Sequence, residues 1–182
     1  MGATAWKHLA EWNAEPAAAL RQLQAKFLEE NYDLPSLLRD FLASARHSVQ
    51  IVKDEGDEYG LRDIYEDDVK KAEAFVAQPL PSQPQERISI LRSLFESGGE
   101  GIGNVLDVTD VSDEGGLFVT RPLKPTDVRE LFGTSSPTLE EADRGVNSLY
   151  LRLGRAESVC FPVYDESAQK PVGWYFVGYS AD

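Results

Sequence analysis

Between Asp54 and Asp68 the chain reads DEGDEYGLRDIYEDD, eight carboxylates against one cation, Arg62. Carboxylates at this density can hold a divalent cation, work as a proton-transfer pair, or attract a cationic surface. Calcium fails on spacing. Counted from Asp54, the third ligand position of a helix-loop-helix calcium loop is Gly56, and the sixth, where the chain must turn on glycine, is Tyr59. DVSDEGG from Asp110 offers Asp110, Ser112, Glu114 and Gly115, but its twelfth position is Arg121 rather than a bidentate acid. Acid pairs such as Asp107 with Asp110, or Glu140 with Glu141, are what chance provides in a chain holding 31 acids. Attraction of a basic partner remains, set against the plainer alternative of a solvated charge run at a helix start. The residues expected to carry it are Asp54, Glu55, Asp57, Glu58, Asp63, Glu66, Asp67 and Asp68, with Tyr59 and Tyr65 supplying contact area.

Two further groups invite a chemical reading. Gly99, Gly101 and Gly103 alternate, but a dinucleotide loop needs a strand before it and a helix after it, so that phosphate meets the helix N-terminus. Here the periodicity gives a helix before and a strand after, and Glu100 would repel phosphate, so a helix end and connector are expected. Cys160 lies between Val159 and Phe161 in an alternating run, which suits a buried thiol. A catalytic thiol needs a base in reach. The only histidines, His8 and His47, fall in the N-terminal half, both on expected helices. Two histidines and one cysteine also lack the close spacing of a zinc site. No catalytic residue, metal or cofactor is expected.

The bounds agree with a binding protein. At 182 residues the chain can bury a full core without disulfides or metal. A net charge of −13 opposes unaided binding to nucleic acid or anionic lipid, both of which depend on Lys and Arg. Basic proteins are the better partners, and a homodimer is compatible with the aromatic final strand. Lys7, His8 and Glu11 interrupt any leader-like apolar run, and the single cysteine suits a reducing cytoplasm.

The elements that must position these groups follow from periodicity. Helices are expected from Pro16, with Leu20, Leu23 and Phe27 in one stripe; from Asp33, with Leu37, Leu38, Phe41, Leu42, Ala45, Val49 and Val52; over 61–78; and over 86–97. Residues 1–97 thus read as a helical region of four or five helices, and 98–182 as a mostly antiparallel α+β region of about five strands with two short helices inserted, the two expected to pack as one compact unit. The expected strands are NVLDVTDV and LFVT, forming a hairpin over SDEGG, then SLYLRL, SVCFPVY and PVGWYFVGY. The inserted helices start at Thr126 and at Thr138, the latter in capping-box relation to Glu141. The last strand is apolar on both faces, so it should be central or covered by a partner.

This order over residues 104 to 180, ending in PVYDESAQKPVGWYFVG, resembles that of PAS-type and GAF-type sensor modules. The resemblance implies a small-molecule-sensing regulatory domain as an alternative function, with an apolar cavity near Phe161, Trp174 and Phe176. The primary expectation is a non-catalytic, acidic protein-binding module, such as an inhibitor or immunity-type protein that blocks a basic toxin or nuclease. A carboxylate-dependent enzyme ranks third.

Overall fold

The computed structural model describes residues 3–57, 60–96 and 102–180. The chain divides into two compact units, residues 1–27 with 99–182, and residues 28–98. In chain order the elements are β1 (Ala5–Glu11), α1 (Pro16–Asn31), α2 (Leu34–Glu55), α3 (Arg62–Val76), α4 (Pro84–Glu96), a 3-10 turn (Val105–Asp107), β2 (Asp110–Val111), β3 (Val119–Pro122), α5 (Pro125–Phe132), α6 (Leu139–Tyr150), β4 (Ser158–Tyr164) and β5 (Pro171–Tyr179). Six helices and a five-stranded, mostly antiparallel sheet among the described residues make this an α+β fold.

The sheet order is β1-β5-β4-β3-β2. β5 pairs antiparallel with both β1 and β4, while the short β3 pairs parallel with β4 and with β2. Alternation along β5 then sorts two cores. Trp174 and Phe176 join Trp6, Ala10 and Cys160 beneath Ala19 and Leu20 of α1. Tyr175 and Val177 join Val159, Phe161 and Val163 beneath Ala142, Val146 and Leu149 of α6 and Val128 of α5. β5 is therefore interior and covered on both faces, as its sequence requires. On the α1 face, buried Gln24 donates to the carbonyls of Val105 and Val108, at 2.9 and 2.7 Å, and so satisfies main-chain groups that no strand pairs.

Four local expectations are corrected. The segment Ala5–Glu11 is a strand, not a helix, so His8 sits on β1; Trp6 and Ala10 face the core and Lys7 and Glu11 do not. The 104–120 hairpin is absent: Val105–Asp107 makes a 3-10 turn, and β2 and β3 run parallel. Its cause lies in the connection. Gly115 and Gly116 take positive φ, Gly116 bridges Val119 antiparallel, and Phe118 at φ 60° turns the chain again before β3. SLYLRL is no strand either. The Thr138–Glu141 capping box sets the helical phase, Ala142, Val146 and Leu149 hold it, and Leu151 is left 90% exposed. α5 begins from Lys124 with Pro125 in its first turn, and Thr126 does not cap it. Without that third strand, the order behind the sensor-module resemblance does not occur.

In residues 28–98, α2 packs along α3 and also meets α4. Asp33 caps α2 by accepting from Ser36 N at 3.2 Å. Arg46 of α2 and Glu73 of α3 form an ion pair at 2.7 Å. Leu34, Leu38, Ala45 and Val52 are buried from α2, Ala72 from α3, and Ile88, Leu91 and Leu94 from α4.

Candidate functional site: an acid-rimmed groove between helices

α2 presents two neighbouring rows at four-residue spacing, apolar Leu37, Phe41 and Ala45 beside polar Asp40, Ser44 and Ser48. α3 supplies Ile64, Tyr65 and Asp68, and α4 supplies Leu91, Leu94 and Phe95. Together they line a groove of about 530 Å3 with an apolar floor and Asp40 and Asp68 at its edge. Asp63 and Asp67 open with Ile64, Asp68 and Lys71 onto an adjoining recess of about 400 Å3. Ile64, at 51% exposure, stands between the two.

Helix phase divides the acidic run. Asp68 faces the groove with Ile64 and Tyr65, while Asp63 and Asp67 line only the adjoining recess. Glu66 points elsewhere, into a recess lined by Arg46, Lys53 and Lys70, where cations outnumber it. Asp54 accepts from Gln50 Nε2 at 2.8 Å. Asp57 caps the entry to α3, accepting from Leu61 N at 2.7 Å and Arg62 N at 3.4 Å. Glu55 is exposed at the end of α2. Asp67 also pairs with Lys71 at 3.1 Å, and that hydrogen bond raises the lysine's pKa. Glu58 and Tyr59 lie outside the described residues, as do Gly99 and Gly101. The structure thus brings Tyr65 and Asp68 to the groove, leaves Asp63 and Asp67 in the adjoining recess with Lys71, and adds to the groove Asp40, which the run does not contain; its signal was the polar row 40, 44, 48 flanking the apolar one.

The alternative cavity near Phe161, Trp174 and Phe176 is not formed by those residues. Phe161 packs on the α6 face, against Phe132 at 4.8 Å and Tyr175 at 5.5 Å between ring centroids, whereas Trp174 and Phe176 belong to the opposite face. Adjacent strands in register cannot bring odd and even neighbours to one side.

Asp143 of α6 accepts through one oxygen, Oδ1, from both Lys7 Nζ and Tyr175 Oη. The Lys7 hydrogen bond, then that of Tyr175, holds the Asp143 carboxyl below its ordinary pKa. Burial raises Tyr175, which remains a donor. Since the folded pKa of Asp143 is depressed, its contribution to stability is present above the unfolded value near 4 and is lost as pH falls through the folded one. Asp143→Asn is therefore expected to lower the urea midpoint at pH 7, by a small amount because the pair is about half exposed, and this deficit should shrink as pH falls below about 4. A deficit that persists undiminished at acid pH would show that charge is not the cause.

Cys160 and His8 lie on one row across the sheet, each paired with Phe176. Two strand spacings, about 9–10 Å, separate them, so His8 is no base for the thiol. Burial pushes the Cys160 thiol up and His8 down, both toward the neutral form. Among the described residues no group of three or more His, Cys, Asp or Glu side chains is placed to hold a metal ion. No helix among them is long and apolar enough to cross a membrane. Comparison with known proteins finds no matching family model, curated relative or solved structure.

Proposed function

We propose that this protein is a non-catalytic binding module whose helical unit receives a basic, amphipathic segment of a partner protein. The observation that carries this is the groove between α2, α3 and α4, apolar on its floor and edged by Asp40 and Asp68 with Asp63 and Asp67 beside them. An amphipathic helix anchored by apolar side chains at i, i+4 and i+7 fits such a channel, and flanking Lys or Arg would meet the acids. The chain's net charge of −13 would speed encounter with a cationic protein. Inhibition of a basic toxin or nuclease is the narrower form of this function, with blockade of the partner's surface as its mechanism. The lone buried thiol suits a reducing compartment such as the cytoplasm.

A synthetic helical peptide with Leu at i, i+4 and i+7 and Lys on its flanks tests this by fluorescence anisotropy. Binding should weaken with salt, and the double variant Asp40→Lys/Asp68→Lys should raise Kd on the order of tenfold. Phe41→Ala should weaken binding at every salt concentration. An equally tight complex with the same peptide flanked by Glu would refute the electrostatic part; indifference to Phe41→Ala would refute the site.

A further inference from the structure

The sheet has two edges of unequal character. β2 offers two residues, too few to template another strand, whereas β1 offers seven with no proline and no bulge. Tyr179 N donates to Glu157 O at 3.0 Å, on the β4 side of β5, so alternation turns Gly178, Phe176 and Trp174 toward β1. Their register partners are Trp6, His8 and Ala10. The main-chain groups of Ala5, Lys7, Leu9 and Glu11 consequently face away from β5. All four residues are exposed, and no described residue hydrogen-bonds to those main-chain groups.

We propose that a second copy of this chain pairs with that edge, antiparallel and centred on Leu9, to join two sheets into one. Hydrogen bonding admits only arrangements in which outward residues oppose outward residues, and charge selects among them. Centring on Lys7 sets Lys7 against Lys7; centring on Glu11 sets Glu11 against Glu11; centring on His8 sets Lys7 against Leu9. Centring on Leu9 sets Lys7 against Glu11 twice, on either side of a Leu9–Leu9 contact. Leu9, 44% exposed, lies on the same sheet face as both charges, so the contact buries apolar surface where the ion pairs form. Lys7 keeps Asp143, since an ammonium carries three donors.

Sedimentation equilibrium of the full chain reads the association. Wild type should approach dimer mass with concentration, and Glu11→Lys should raise the dimer Kd about tenfold or more by opposing lysines twice. Leu9→Pro, which removes the outward donor at the centre, should do the same, with circular dichroism confirming that each variant folds. A geometric check uses Leu9→Cys: opposed residues of a hydrogen-bonded pair stand about 5.5 Å apart at Cα, a disulfide distance. Cys160 is fully buried and does not compete. Oxidised with glutathione disulfide, Leu9→Cys should cross-link to dimer, while Ser167→Cys in the exposed β4–β5 turn should not. Monomer mass at every concentration, an unchanged Kd for Glu11→Lys, or equal cross-linking at both cysteines would overturn the proposal. None of these substitutions touches residues 28–98, so their outcome is separate from that of the groove.

Discussion

Phe161→Ala is expected to lower the unfolding free energy by about 3–5 kcal/mol, the range for removing a fully buried aromatic ring. Phe161 has no exposed surface, and its ring meets both Phe132 of α5 and Tyr175 of β5. The ring therefore fixes α5 to the sheet, and the cavity it leaves is bounded by strand main chain that cannot collapse into it. Domains are stable by only about 5–15 kcal/mol, so this single change removes a large share of the margin. Urea titration measures it. Val172→Ala, on the same sheet at a half-exposed position, should stay within about 0.5 kcal/mol and serves as the control. A loss below about 1 kcal/mol for Phe161→Ala would mean that the α5–α6 face is not the packed core described above.

Gly173→Ala is expected to cost about 2–3 kcal/mol by overpacking, a larger penalty than one methyl suggests. A Cβ built there would stand 2.5 Å from Ala10 O and 2.8 Å from Leu9 Cδ1. A leucine tip can swing aside; a carbonyl held in a ladder moves only with its strand. β1 must then part from β5 at the end where Glu11 opposes Gly173, which also disturbs the Trp12–Trp174 stack, now 5.6 Å between centroids and 9° from parallel. Tryptophan fluorescence and amide exchange of Leu9 to Glu11 report this directly. Unchanged exchange in those amides, with Gly173→Ala folded, would contradict the close approach.

How much could be read from residues alone depended on how local each cause was. The four helices before Ser97 declared themselves through three- and four-residue apolar steps and through Pro16 and Asp33, signals contained within each segment. β4 and β5 were equally legible, since SVCFPVY alternates and DESAQK turns it back. β1 was not. AWKHLAE is seven residues interrupted by Lys7 and ending in Glu11, and what makes it a strand is β5, more than 150 residues away in the chain. Leu149, Leu151 and Leu153 satisfied a strand period, but a capping box eleven residues before Leu149 had already committed the chain to helix. The acidic run was visible as composition, yet its division between the groove and the cation-lined recess is a matter of which way each residue of α3 points. Asp40 escaped because it belongs to another helix, beside an apolar row rather than among acids. The supposed Phe161 cavity failed for a reason that strand alternation, applied across paired strands, already contains.

The pairing of the first strand with the last has a consequence for biosynthesis. While the ribosome works from β1 to Pro171, the edge of Ala5–Glu11 has no β5 to bind. At about 5–20 residues per second this interval is roughly ten to thirty seconds. Residues 28–98, a compact unit whose synthesis ends much earlier, can condense in that time. The nascent chain therefore carries a finished helical body while that strand is still unmated. Translational pausing between α4 and β5 would lengthen the period in which that strand is open to chaperones or to a neighbouring nascent chain.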